Sequence, residues 1–152
     1  MIQKLLKNPN YRPLATKHMM EFVTLLLEEG IEFGIIIDAP HVTFDPPLPP
    51  EIASNLVGMT HFILGGYSFE SAYIQDRTLH FEAGFGPNNF ASHVSAPLEA
   101  IVHIVIDEMV VHLNFAATLL TKLPTDARLT GSEDHSLKSF LSNPENQKFL
   151  RP

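Results

Sequence analysis

A chain of 152 residues, 45% of them hydrophobic, has the size of one domain and enough apolar mass to bury a core of its own. Its formal net charge of −7 argues against nucleic acid as a partner, because that role needs concentrated Lys and Arg to displace counterions. The absence of cysteine removes disulfides and thiolate metal ligands and suits a reducing compartment.

The residues from Met1 to Tyr11 hold Lys4 and Lys7 and no run long enough for a signal-peptide core. No apolar run approaches the ~20 residues that span a bilayer, so a soluble cytoplasmic protein without membrane contact is expected. From Leu14 to Glu29 the composition is helical, and Gly30 supplies a C-terminal stop. At ~100° per residue, Lys17, Glu21, Thr24 and Glu28 fall on one narrow stripe. The apolar arc that fills the remainder is wider than a surface helix needs. It predicts contact with both the chain's own sheet and a second subunit, with Met19, Met20, Val23 and Leu27 at the dimer interface.

Beyond Gly30 the pattern turns to strands. Phe33 to Asp38 is expected as a strand, and the proline-rich stretch from Pro40 to Pro50 leaves room only for a short edge strand, His41 to Phe44. Thr60 to Leu64 forms the next strand. Tyr67 to Gln75 follows, with Tyr67, Phe69, Ser71 and Tyr73 on one face. Gln75-Asp76-Arg77 turns the chain into Leu79 to Phe85, and Gly86-Pro87-Asn88-Asn89 turns it again into Ala91 to Ala96. The expected result is an antiparallel meander. Pro97 to Asp107 fits a short helix opened by Pro97, although its β-branched residues also suit a strand, and Val110 to Phe115 closes the sheet. The division predicted is a folded unit over 1–121 and a polar, largely disordered tail over 122–152, in which Leu137 to Leu141 and Phe149 to Arg151 are candidate interaction patches.

Catalytic and cofactor signatures are weak. The eight histidines show no i, i+4 pair of the zinc-helix kind, although His61 and His80 can be neighbours across strands, and neither metal nor cofactor is expected. Gly84-Phe85-Gly86 precedes Pro87-Asn88-Asn89 and not a helix start, so it is a turn and not a phosphate loop. No Gly-x-Ser-x-Gly elbow or cysteine nucleophile is present, and the adjacent Asp107 and Glu108 point apart. A non-catalytic binding module is favoured over an enzyme.

Four sequence segments, in one order, carry a family likeness: Arg12-Pro13 before a helix with Glu21-Phe22; Ile35-Ile36-Ile37-Asp38; Phe81-x-Ala83-x-Phe85-Gly86; and Val94-Ser95-x-Pro97-Leu98-x-Ala100. Together, over about residues 11 to 115, they resemble the SspB family, bacterial adaptors that carry tagged proteins to the ClpXP protease. The resemblance implies a mainly β fold, with an N-terminal helix in dimer contact followed by an antiparallel β-sandwich related to the open Sm-like barrel. It implies a homodimer, a groove for the ssrA degradation tag, and a flexible tail whose end, here Phe149, Leu150 and Arg151, docks on the ClpX unfoldase. An extended peptide can be held by main-chain hydrogen bonds to an exposed strand and by apolar pockets. The residues placed at such a groove are Phe62, Leu64, Phe81, Ala83, Phe85 and Gly86. Two alternatives stand beside this: a secretion-type chaperone, which predicts more helix at both ends, and a small thioesterase of the helix-wrapped-by-sheet type, with Asp38 and His61 activating water.

Overall fold

The computed structural model describes residues 1–119, so the boundary at 121 and the tail residues Phe149, Leu150 and Arg151 lie outside the described residues. A short helix α1 (Ile2–Leu6) leads into the long helix α2 (Tyr11–Glu29). Gly30 ends α2 in the left-handed conformation at φ 70. The Ile31 N–H donates to the Leu26 carbonyl at 2.9 Å and the Gly30 N–H to that of Leu27, the paired bonds of a Schellman stop.

Strands β1 (Phe33–Asp38), β2 (Thr43–Asp45) and β3 (Met59–Leu64) follow, with the one-turn helix α3 (Pro50–Ala53) between the last two. After β3 come the one-turn helix α4 (Tyr67–Glu70), β4 (Tyr73–Gln75), β5 (Thr78–Phe85), β6 (Phe90–Pro97), β7 (Ile101–Ile106) and β8 (Met109–Leu113). They build two four-stranded antiparallel sheets. The first has the order β3-β1-β7-β8 and the second β2-β6-β5-β4. The expected meander exists only as β4-β5-β6, β7 and β8 form a separate hairpin in the first sheet, and the remaining connections cross between sheets. The protein is mainly β with one long helix.

Burial explains this order. Phe33, Ile35, Ile36 and Ile37 of β1 are all buried although they alternate in direction, so β1 is central, and Ile101, Val102, Ile104 and Val105 place β7 beside it. This corrects the helix expected over Pro97 to Asp107. Only Leu98–Ala100 forms a tight 3-10 turn, and the β-branched run after it is strand because neighbours cover both of its faces. The strand expected over Tyr67 to Gln75 holds only over Tyr73–Gln75, and its first part is corrected to helix. Gly66 at φ 56 redirects the chain, and the Glu70 N–H donates to its carbonyl at 2.9 Å to close α4. Phe69 then meets Phe33 edge-on at 6.2 Å while Tyr67 stays exposed.

One core fills the space between the sheets. It joins Ile35, Ile37, Phe62, Leu64, Leu79, Phe81, Val94 and Ile104 to Met19, Val23 and Leu26 of α2. Helix α2 packs against β4 and the 3-10 turns Leu98–Ala100 and Phe115–Leu119. Two hairpins close with two residues each at positive φ, Asp76-Arg77 (53 and 57) and Asp107-Glu108 (50 and 65), the pattern of a type I′ turn built without glycine. Among the described residues, no helix is long and apolar enough to cross a membrane.

Candidate functional site

Strand β3 lies at one edge of the first sheet, and β5 lies next to the edge of the second. β4 pairs with β5 only over Thr78 to His80, so from Phe81 to Phe85 the side of β5 turned away from β6 carries no neighbouring strand among the described residues. The Glu82 N–H points to that side and donates to Ser71 Oγ at 2.9 Å. Backbone groups two residues apart face the same way, so the Gly84 N–H and carbonyl are directed outward as well. Two strand edges that have no strand partner on this side among the described residues thus flank one opening.

That opening is a cleft of about 300 Å³ lined by His61, Phe62, Ile63, Ser68 and the β5 residues from Phe81 to Phe85, Glu82 excepted. Aromatic rings form its floor. Phe85 meets Phe44 edge-on at 5.6 Å and Phe62 at 6.5 Å, and Phe62 meets Phe81 at 6.5 Å. Because rings in edge-to-face contact hold one another in place, the floor is rigid and apolar. Ala83 is the small residue between Phe81 and Phe85 on that face and leaves room above the rings. Burial pushes His61 down to about 4, so the imidazole at the rim is neutral at pH 7 and the lining carries no formal charge. Such a surface suits an uncharged, extended main chain with apolar side chains.

Of the six residues expected at a peptide groove, Phe62, Phe81, Ala83 and Phe85 are brought together here. Leu64 is fully buried in the core, and Gly86 sits exposed in the following turn at φ 73, against the Ile52 side chain. Of the residues expected at a dimer interface, Met19 and Val23 are fully buried in the chain's own core, and Met20 and Leu27 pack against that core half-buried. The exposed apolar residues of α2 are Leu14 and Leu25, which fall on one line of the helix, and Phe22 stacks on His112 of β8 at 5.1 Å. Beside them β8, at the sheet edge, exposes Val110, Val111 and Leu113.

His61 and His80 are not neighbours, since β3 and β5 belong to different sheets. His80 instead joins a network on the outer face of the second sheet. His93 donates through Nδ1 to Glu82 Oε1 at 2.9 Å, and its Nε2 lies within hydrogen-bond distance of His80 Nδ1 at 3.1 Å. Ser95 Oγ lies 3.0 Å from the same His80 nitrogen, and Tyr73 stacks on the His80 ring at 4.9 Å. The signal for it was in the sequence: once Phe85 is set opposite Phe90, the register puts His80 across from Ser95 and Glu82 across from His93. Among the described residues, no group of three His, Cys, Asp or Glu is arranged to hold a metal ion.

Asp38 lies opposite Met59, two positions from His61 in the register of β1 and β3. The two-sheet arrangement departs from the single sheet wrapped round a helix that a thioesterase of the expected kind would have. Comparison with family models, with curated proteins and with solved structures returned no match for this chain.

Proposed function

We propose that this protein is a peptide-binding adaptor of the SspB type, which holds ssrA-like degradation tags as extended chains in the cleft between β3 and β5 and delivers the tagged proteins to the ClpXP protease. The observation that carries this is the pairing of two strand edges that have no strand neighbour among the described residues with an uncharged aromatic floor. A peptide laid there gains hydrogen bonds from the outward groups of Gly84 and lies along the side of β3 turned away from β1, and alternate side chains sit over Phe62, Phe81 and Phe85. No bond is made or broken. The two sheets are read as a version of the open Sm-like barrel, in a cytoplasmic homodimer that pairs through Leu14 and Leu25 of α2 and the exposed edge of β8. Phe149, Leu150 and Arg151, at the end of the tail, dock on ClpX. Tethering raises the local tag concentration towards millimolar, so delivery needs only modest affinity at the groove.

Fluorescence polarisation of a labelled ssrA peptide tests the groove. Saturable binding is expected at micromolar or tighter Kd, lost when the peptide is scrambled and weakened at least ~tenfold by Ala83→Arg, which fills the space above the rings. Binding that is absent, or indifferent to Ala83→Arg, overturns the assignment.

A further inference from the structure

At the opposite end of β5 from the groove lies a larger cleft, about 910 Å³, between the α1–α2 connection, the first turns of α2, the Asp76-Arg77 turn and the Leu98–Ala100 turn. Its charge sets it apart. The chain as a whole carries a net −7, yet every Lys and Arg among the described residues except Lys4 lines this cleft: Lys7, Arg12, Lys17 and Arg77. Two carboxylates, Asp76 and Glu99, accompany them. Only one ion pair links the two sets, Arg12 to Glu99 at 3.6 Å with both side chains about half exposed. The fold therefore gathers, from positions scattered between 7 and 77, a local excess of positive charge on an acidic body.

We infer that this cleft is a second binding site, for an acidic peptide segment of a partner protein in which Asp or Glu alternates with aliphatic residues. Charge complementarity supplies the attraction, and Leu6, Pro9, Pro13 and Met20 supply apolar wall between the cations. A long polyanion fits less well. Beyond a Debye length of ~8–10 Å the cations no longer dominate, and the net negative body repels a chain of phosphates. The chain's own tail is also a poor occupant, because residues 120–152 hold Lys122, Arg128, Lys138, Lys148 and Arg151 against Asp126, Glu133, Asp134 and Glu145. Arg77 is held in position from both sides of its turn, with its carbonyl accepting from the Leu98 N–H at 3.0 Å and Thr78 Oγ1 donating to the Asp76 carbonyl at 3.1 Å. The site stands independently of the aromatic groove and of the function proposed for it.

The test is fluorescence anisotropy of the full chain with a labelled peptide in which Glu alternates with Ala and Leu. Competitors are the same peptide with Gln for Glu, inorganic polyphosphate and single-stranded oligothymidylate. Saturable binding that the Gln peptide does not compete, that weakens with added salt, and that falls at least ~tenfold in Lys7→Glu/Lys17→Glu supports the site. Unchanged circular dichroism in that variant is expected, since both lysines are exposed. If it fails to fold, Arg77→Gln alone is expected to give a loss of at least ~threefold. No saturable binding, equal competition by the Gln peptide, indifference to the substitutions, or stronger competition by polyphosphate or oligothymidylate overturns it.

Discussion

The outer faces of the two sheets carry the same residue type under opposite conditions. On the first sheet His61 and His103 lie on either side of Ile36, and burial lowers both pKa values. The Nδ1 atom of His103 is buried without a hydrogen-bond partner among the described residues. On the second sheet His80 and His93 are linked to each other, to Glu82 and to Ser95. Desolvation disfavours the imidazolium on one face, whereas on the other hydrogen bonds fix the imidazoles in place. Each face also has a mid-strand glycine beneath a polar side chain: Gly34 under His61 and Gly84 under Asn89. The first neighbour is a half-buried ring within a strand, and the second belongs to an exposed turn.

The sharpest way to break this contrast is Gly34→Ala. Its Cβ would run into His61 Nε2 and come within 2.9 Å of Cδ2 and 3.3 Å of the Phe62 carbonyl, so ring and strand must both give. A loss of about 2–3 kcal/mol in urea unfolding is expected, by the cost of overpacking. Next in size is the response to pH. His61 takes its proton near 6.5 when unfolded and only near 4 in the fold, so the unfolded chain binds that proton first. The stability it confers is complete above pH 6.5 and is lost as pH falls towards 4, by about 1–2 kcal/mol once its partial exposure is allowed for. Chemical denaturation across this window is expected to show a shallower pH slope for His61→Gln than for the parent chain, and equal slopes would refute the assignment. The smallest effect belongs to Gly84→Ala. Asn89 occupies the place of the missing Cβ but can swing into solvent, so a change under about 1 kcal/mol is expected in the same assay. A loss as large as that at Gly34 would show the two faces to be alike.

Where local chemistry and tertiary demand agreed, the sequence was legible. Gly30 stopping α2, the aliphatic run of β1 and the hairpin turn between β5 and β6 each rest on a signal within a few residues. Legibility failed where packing decided. Tyr67, Phe69, Ser71 and Tyr73 alternate like a strand, but Gly66 bends the chain so that Phe69 alone turns inward to Phe33. Pro97 suggested a helix start, and the burial of both faces of Ile101 to Val105 overrode it. Phe81, Ala83 and Phe85 could be named for the groove because they alternate along β5, whereas Leu64, on the same buried face of β3 as Phe62, lies in the core outside the groove lining, a difference set by how far along β3 the opening reaches. Nothing in the order of residues announced the basic cleft, whose cations meet only when α1, α2 and the β4–β5 turn are assembled.

The two glycine-free hairpin turns have a consequence for engineering. A non-glycine residue in the left-handed region costs roughly 1–2 kcal/mol, so the Asp76-Arg77 and Asp107-Glu108 turns both hold a reserve of thermal robustness. At Glu108 a designer can draw on that reserve by installing glycine without touching the cationic cleft. At Arg77 the same exchange would discard a guanidinium that faces it, so one loop is open to thermostabilisation and the other sets it against recognition.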